Sequence, residues 1–201
     1  MRHRSRPLVV LLVLGAVCAM AATPAPKTAD GHATAIDTAR SHMTVFVYKQ
    51  GIFSFAADNH EIAAPIVSRS VDSATGAVKL TVDATKMRVL DPKLGTDRRA
   101  QVQANMVGSG VLDVAKYPKI EFHSTKVAID GSHLNVTGDL TLHGQTHSIV
   151  LEAVKSDAGH FSGSVMVRQT DYGITPIRIL GGSVTVKNDV KVEFDIALAA
   201  K

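Results

Sequence analysis

Short segments in which apolar and polar residues alternate make up most of the chain, and Gly, Asp and Asn residues separate them. In AVKLTVDA, for example, Val78, Leu80 and Val82 share one face and polar residues occupy the other, as in a half-buried strand. There is no regular alternation of strands with helices and no internal repeat. The pattern therefore predicts one all-β domain, an antiparallel barrel of about eight strands.

Two segments interrupt this alternation and indicate one or two short helices. Thr96 is suited to cap a helix over DRRAQVQANMV, in which Val102 and Met106 share a face and Gly108 ends the helix. GIFSFAADN, after the first strand, is compatible with a short helical turn. Pro65 confines its own strand to a sheet edge or a bulge, because proline cannot donate a ladder hydrogen bond.

The N-terminus has the pattern of a secretory signal peptide over residues 1–22. Arg2, Arg4 and Arg6 precede an apolar run, and small residues surround a cleavage site near Ala21. The run is shorter than the roughly 20 apolar residues that a membrane helix needs. A lipoprotein would instead be acylated at Cys18, but the Gly-Ala-Val before it matches that signal poorly. We expect residues 23–35 to be a flexible tether and residues 36–201 to form the barrel domain.

Removing the leader changes what the composition implies. Of 22 Lys and Arg, three lie in the leader, so 19 remain against 18 Asp and Glu, and the basic balance gives no reason to expect a nucleic-acid partner. Cys18 is the one cysteine, so the mature protein has neither a thiol nor a disulfide. We expect it in the periplasm or outside the cell, without a lasting membrane span.

The apolar positions of the strands indicate what fills the barrel. With the expected alternation, one set of side chains points inwards and either packs a core or lines a cavity for an apolar ligand. The inward set comprises Val78, Leu80, Val82, Ile120, Phe122, Leu134, Val136, Leu140, Leu142, Ile149, Leu151, Val165 and Phe194. Gly138 and Gly163 also have inward parity. We further expect Phe46, Tyr48 and Phe53 to surround the mouth of such a cavity.

No established catalytic motif is present, so we expect neither an enzyme nor a cofactor. The HExxH signature fails because Ala64 stands where its second histidine is required, and the sequence has no P-loop, G-x-S-x-G or dinucleotide fingerprint. Metal binding remains an alternative, since zinc accepts any donors that converge. Its candidates are His60 and Glu61 together with His123, His143 and His147, and it requires at least three of these side chains around one point.

The stretch HGQTH places two histidines at a spacing that suits zinc on a helix. Its context alternates, however, so we predict a hairpin with Gly144 and Gln145 as a two-residue type II′ turn, or a four-residue loop of the same parity. This register sets Leu140 opposite Ile149 and Leu142 opposite His147. Successive side chains alternate, so the rings point to opposite sides, with His147 at the rim and His143 in solvent.

The chain resembles the YceI family over nearly all of the region that follows the tether. The residues that carry the resemblance are Leu112-Asp113, Tyr117-Pro118, Phe122 and Ser124, then Gly138, Leu140, Thr141, Leu142, Gly144 and Thr146, and finally TDYGI from Thr170 to Ile174. The family consists of exported, lipocalin-like barrels that bind polyisoprenoids and related long apolar lipids. The resemblance therefore implies a carrier of a long-chain lipid. Two possibilities stay open: that the barrel holds no ligand, and that the chain forms a homodimer.

Three positions depart from the family pattern. Arg40 and Lys49 stand where relatives usually have histidine, and Gln169 replaces a common arginine. If those polar residues contact a lipid headgroup in relatives, the departures imply a different headgroup here, or none.

Overall fold

The computed structural model describes residues 33–51, 59–72, 75–156 and 159–199. The strands are β1 (Ala33–Thr34), β2 (Ile36–Val47), β3 (Lys49–Gln50), β4 (His60–Ala63), β5 (Ile66–Asp72), β6 (Val78–Asp83), β7 (Arg88–Val89), β8 (Lys119–Asp130), β9 (His133–Leu142), β10 (Gln145–Lys155), β11 (His160–Arg168), β12 (Arg178–Ile179), β13 (Val184–Val186) and β14 (Asp189–Leu198). The one α-helix among the described residues is α1 (Thr96–Val107), and short 3₁₀ turns cover Ala84–Lys86, Gln169–Tyr172 and Leu180–Gly182.

One antiparallel sheet forms the wall of the molecule, in the order β1-β5-β6-β8-β9-β10-β11-β14-β2-β4-β7. Long hairpins dominate it, so consecutive strands are also spatial neighbours from β8 to β11. A second, small sheet of β12, β13 and β3 lies where β2 ends and β14 begins. The all-β, antiparallel barrel class predicted from the alternation is confirmed.

The sheet curls so that its two edge regions meet at Pro65. The chain passes there directly from β4, which pairs with β2, to β5, which pairs with β6. On one side the Ala64 N–H donates to Met43 O at 2.9 Å, and on the other the Asp83 N–H donates to Pro65 O at 3.2 Å. The sequence predicted Pro65 within a single strand, at an edge or a bulge, but it lies between β4 and β5, next to a register shift after Ile66, where no ladder hydrogen bond is required of it.

Helix α1 covers one end of the barrel. Met106 is buried against the sheet, and the Gln103 amide joins the helix to β7 by accepting from Val89 N at 2.8 Å and donating to Met87 O at 2.9 Å. The predicted end at Gly108 is confirmed, but the N-cap is Gly95 and Thr96 is already helical. Among the described residues, no helix has the length and apolar character needed to cross a membrane.

The β9–β10 hairpin turns one residue earlier than predicted. His143 and Gly144 form the turn, with φ of 50° and 74°, so both central residues are left-handed as a type I′ turn requires. Leu142 pairs with Gln145, and His147 faces Leu140 rather than Leu142. The predicted register was therefore wrong by two residues, a shift that leaves the paired strand residues on their predicted faces.

Several predictions concern residues outside the described ranges. These are the signal peptide, the tether before Ala33, and the short helix in GIFSFAADN, including Phe53. The last residues assigned to the tether, Ala33 and Thr34, form β1 and pair with Asp72 and Val71.

Candidate functional site: an apolar cavity inside the barrel

The barrel encloses a cavity of about 420 Å³ whose wall is almost entirely apolar. It arises because each wall strand directs alternate aliphatic side chains inwards. In β9, Leu134 and Val136 are 8% and 4% exposed, whereas Asn135 between them is exposed. The predicted inward residues that lie on this wall are Val78, Leu80, Val82, Ile120, Phe122, Leu134, Val136, Leu140, Leu142, Ile149, Leu151, Val165 and Phe194.

Strand β2 presents the opposite face from the one expected. Phe46 and Tyr48 do not line the cavity, because Met43, Val45 and Val47 take the inward positions of the strand. Phe46 pairs instead with Glu61 and Lys191 on the neighbouring strands. Alternation alone is compatible with either face of the strand, so it could not identify Met43, Val45 and Val47 as the inward set.

Further wall residues were missed although their strands were recognised. Val190, Val192 and Ile196 of β14 alternate with polar residues and continue the inward series of Phe194. Extending the same parity along β14 would have found them. The cavity residues Met87 and Met106 had no such signal, since Met87 follows a 3₁₀ turn and Met106 belongs to a helix.

The two inward glycines do not leave empty space. A β-carbon at Gly138 would lie 2.6 Å from His123 O and collide with the Phe122 ring. A β-carbon at Gly163 would collide with Glu152 O and lie 2.7 Å from the Phe194 ring. Each glycine therefore leaves room for a phenyl ring that lines the cavity.

The cavity is open at one end of the barrel. Its exposed wall residues are Ile129, 61% exposed, near the end of β8, Gly131 in the β8–β9 turn, and Lys155 at the end of β10. The Lys155 N–H donates to Ser132 O at 2.8 Å, which holds the end of β10 against the β8–β9 turn. We call this end, formed by these residues together with Asp72, the mouth.

The opposite end is closed by buried side chains. Met106 of α1, Ile174 and Val167 are 6%, 4% and 5% exposed, and all three lie on the cavity wall. Tyr172, 2% exposed, packs in the same cluster, and its hydroxyl has no hydrogen-bond partner among the described residues. Burial raises the pKa of the Tyr172 phenol, and the carboxylate of Asp171 raises it further.

The histidines do not form a metal site in the described part of the chain. His60 Nδ1 lies 2.6 Å from Asp91 Oδ2, and this carboxylate also accepts from Glu61 N at 2.8 Å. His123 is exposed, as its parity predicted. Across residues 33–51, 59–72, 75–156 and 159–199, no three His, Cys, Asp or Glu side chains are grouped to hold an ion. The convergence that the metal alternative requires is not found there.

The two histidines of HGQTH both meet the 3₁₀ turn that contains Tyr172. His143 Nδ1 lies 3.0 Å from Tyr172 O, and the His147 ring is edge-on to the Tyr172 ring at 5.2 Å between centroids. His143 is half-buried and His147 is exposed. The expectation that His143 faces solvent was therefore wrong, because its place in the turn directs the ring onto this neighbouring segment.

Of the three departures from the family pattern, Gln169 is the one that reaches the cavity wall. Its Nε2 donates to Lys187 O at 2.8 Å. Arg40 pairs with Asp37 at 3.1 Å on the surface, and Lys49 lies in β3 of the small sheet. Gln169 thus contributes an uncharged amide to the cavity wall.

These features define a small antiparallel barrel with a closed apolar end and an open mouth. Comparison with known proteins gives the family: the model of the YceI-like domain matches residues 35–198. The chain belongs to the YceI family.

Individual relatives agree with this membership. A UPF0312 protein of Vibrio cholerae strain N16961 is 29% identical over 206 residues, covering 91% of this chain and 96% of the relative. Protein YceI of Escherichia coli O157:H7 is 44% identical over 54 residues, 27% of this chain and 28% of its own. The crystal structure of BcnA from Burkholderia cenocepacia superposes with a TM-score of 0.62 at 19% identity, covering 82% of this chain and 99% of BcnA. That likeness supports the barrel fold.

Proposed function

We propose that this protein is an exported, non-catalytic binding protein that holds one long apolar lipid chain, polyisoprenoid-like in character, inside the barrel. The observation that carries the proposal is the apolar cavity of about 420 Å³. Sites for small molecules are commonly preformed apolar cavities of roughly 300–1,000 Å³. Each methylene transferred from water to such an interior contributes about 0.8 kcal/mol, so a long chain binds with few polar contacts.

The shape of the site favours a chain over a compact polar molecule. The wall runs from the mouth at Lys155 to the closed end at Met106 and Ile174, along strands of ten or more residues. Gln169, on this wall, already uses its amide nitrogen in a bond to the backbone. Phe122 and Phe194 add aromatic surface to this wall. A chain without internal polar groups matches such a wall.

The location in the proposal rests on the N-terminal sequence. The arginines and the apolar run of residues 1–22 fit a signal peptide, and a lipid carrier that works in the periplasm or outside the cell needs one. The absence of cysteine after Cys18 suits folding that is independent of the redox state of the compartment. Family membership supports the same assignment, because the resemblance implies exported lipid-binding barrels.

The proposal is tested by filling the cavity from a position that faces it. Leu151 of β10 lies on the wall, and the adjacent Val150 is 56% exposed on the outer face. Leu151→Trp places an indole in the space of the chain, so we expect at least a tenfold loss of affinity for a long-chain fluorescent hydrocarbon probe. Val150→Trp adds the same indole outside the barrel and should bind like the wild type.

Thermal unfolding of both variants provides the folding control, because overpacked cores lose about 1–3 kcal/mol. The proposal fails if the wild type does not bind the probe, or if folded Leu151→Trp and Val150→Trp bind it with the wild-type affinity.

A further inference from the structure

The charged residues on the cavity wall are Asp72, Glu121 and Lys155. Asp72 Oδ1 accepts from Thr75 N at 3.0 Å in its own turn. Lys155 is the only cation on the wall in the described ranges, and no hydrogen bond or ion pair of its ammonium group is found there. Lysine buries its methylenes along apolar surface and keeps its charge in water. At the mouth, the methylenes of Lys155 can lie along the apolar wall while its ammonium group stays in water.

Lys155 stands where a ligand would leave the cavity. It is the last residue of β10, beside Gly131 and the exposed Ile129, and all three line the mouth. The other end of the cavity is closed by the buried side chains of Met106 and Ile174. A molecule with one charged end can therefore enter completely only with its apolar end first, because burying an unpaired charge is far more costly than leaving it hydrated.

We propose that Lys155 binds the anionic headgroup, a carboxylate or a phosphate, of a single-chain amphipathic lipid whose tail extends to the closed end. This inference rests on the proposed function and adds the polarity and direction of the ligand. The ammonium group is a compact, hydrated charge that meets such anions without a fixed geometry. The contact lies at the surface, so it contributes selectivity between headgroups, while burial of the tail provides most of the affinity.

The experiment compares headgroups on one tail. Hexadecanoic acid, hexadecyl phosphate and hexadecanol displace a long-chain fluorescent probe from the protein expressed from its full sequence. Lys155→Gln should bind both anions about fivefold more weakly and hexadecanol unchanged, which is the size of a partly exposed charge contact. Lys155→Arg should restore anion binding. Lys119→Gln removes a lysine from the start of β8, at the closed end, and should behave as the wild type.

Salt provides a second readout that a structural role of Lys155 would not change. Raising the ionic strength should weaken anion binding by the wild type and leave Lys155→Gln unaffected, because exposed charges are screened. A difference between the acid and the phosphate identifies the preferred headgroup. The inference would be overturned if Lys155→Gln lost the same affinity for the alcohol as for the anions, or lost no affinity for any of them. The lipid-binding function would still stand in both cases. If the wild type binds none of the three, the proposed function fails, and this inference with it.

Discussion

Tyr172 combines deep burial with a polar group in the cluster at the closed end. Its side chain is buried among Val167, Ile174 and the closed end of the cavity, and its hydroxyl has no partner in the described part of the chain. A buried hydroxyl without a hydrogen bond costs about 1–3 kcal/mol. Two contacts hold Tyr172 in this position. The His147 ring packs edge-on against the Tyr172 ring, and His143 Nδ1 lies within hydrogen-bond distance of the Tyr172 carbonyl oxygen.

The raised pKa of Tyr172 predicts a loss of stability at alkaline pH. In the unfolded chain a tyrosine ionises near pH 10, whereas burial and Asp171 raise the pKa in the native state. The folded protein thus binds the phenol proton more tightly than the unfolded chain does. The resulting contribution to the free energy of unfolding is complete below about pH 10 and is lost as the pH rises through the native pKa.

Chemical denaturation of the wild type and Tyr172→Phe between about pH 8 and pH 11 measures this contribution. Near pH 8 the variant should be as stable as the wild type or more stable, since it removes an unsatisfied hydroxyl. Above about pH 10 the wild type should lose stability more steeply than the variant. Parallel profiles would show that Tyr172 ionises equally in both states.

At the scale of elements, the β9–β10 hairpin is fixed by contacts at its turn. Gly144 has φ of 74°, and a β-carbon there would collide with the Tyr117 ring, which also packs edge-on against His143 at 4.7 Å. Gly131, in the β8–β9 turn, has φ of 57° and open space around the position of a β-carbon. The two glycines share a left-handed backbone and differ in what surrounds them.

This difference predicts that alanine lowers the free energy of unfolding by different amounts at the two positions. Gly131→Ala should lower the free energy of unfolding by about 1 kcal/mol, the cost of a left-handed alanine. Gly144→Ala adds the collision with Tyr117, so its total loss should be about 3 kcal/mol. Denaturant unfolding of both variants measures the two values. Equal losses would mean that Tyr117 moves away freely and does not fix the turn.

The same hairpin shows how far the sequence could predict an element. Alternation correctly identified both strands and the faces of Leu140, Ile149 and Leu151. It could not choose between registers that differ by two residues, because they put the same side chains on the same faces. Contacts of the turn with Tyr117 and Tyr172, which lie far away in the sequence, distinguish them, and no local pattern contains that information.

At the scale of the whole molecule, the barrel and most of the cavity wall follow from period-two patterning, and the ends of the cavity do not. The closed end combines Met106 of a helix with Val167 of a strand and Ile174 after a 3₁₀ turn, and these residues come together on the cavity wall only after the sheet curls. Phe46 and Tyr48 were expected at the mouth, whereas Met43, Val45 and Val47 contribute the cavity wall of β2. The direction of the cavity, with Lys155 at the open end, likewise emerges only from the closed fold.

The central claim is that the cavity holds one lipid chain, and a native mass spectrum of the protein isolated from its own host tests it most directly. The account predicts a species heavier than the mature polypeptide by the mass of one lipid, released by organic solvent and much reduced in Leu151→Trp. A spectrum that shows only the bare polypeptide under the mildest conditions, for wild type and variant alike, would contradict it.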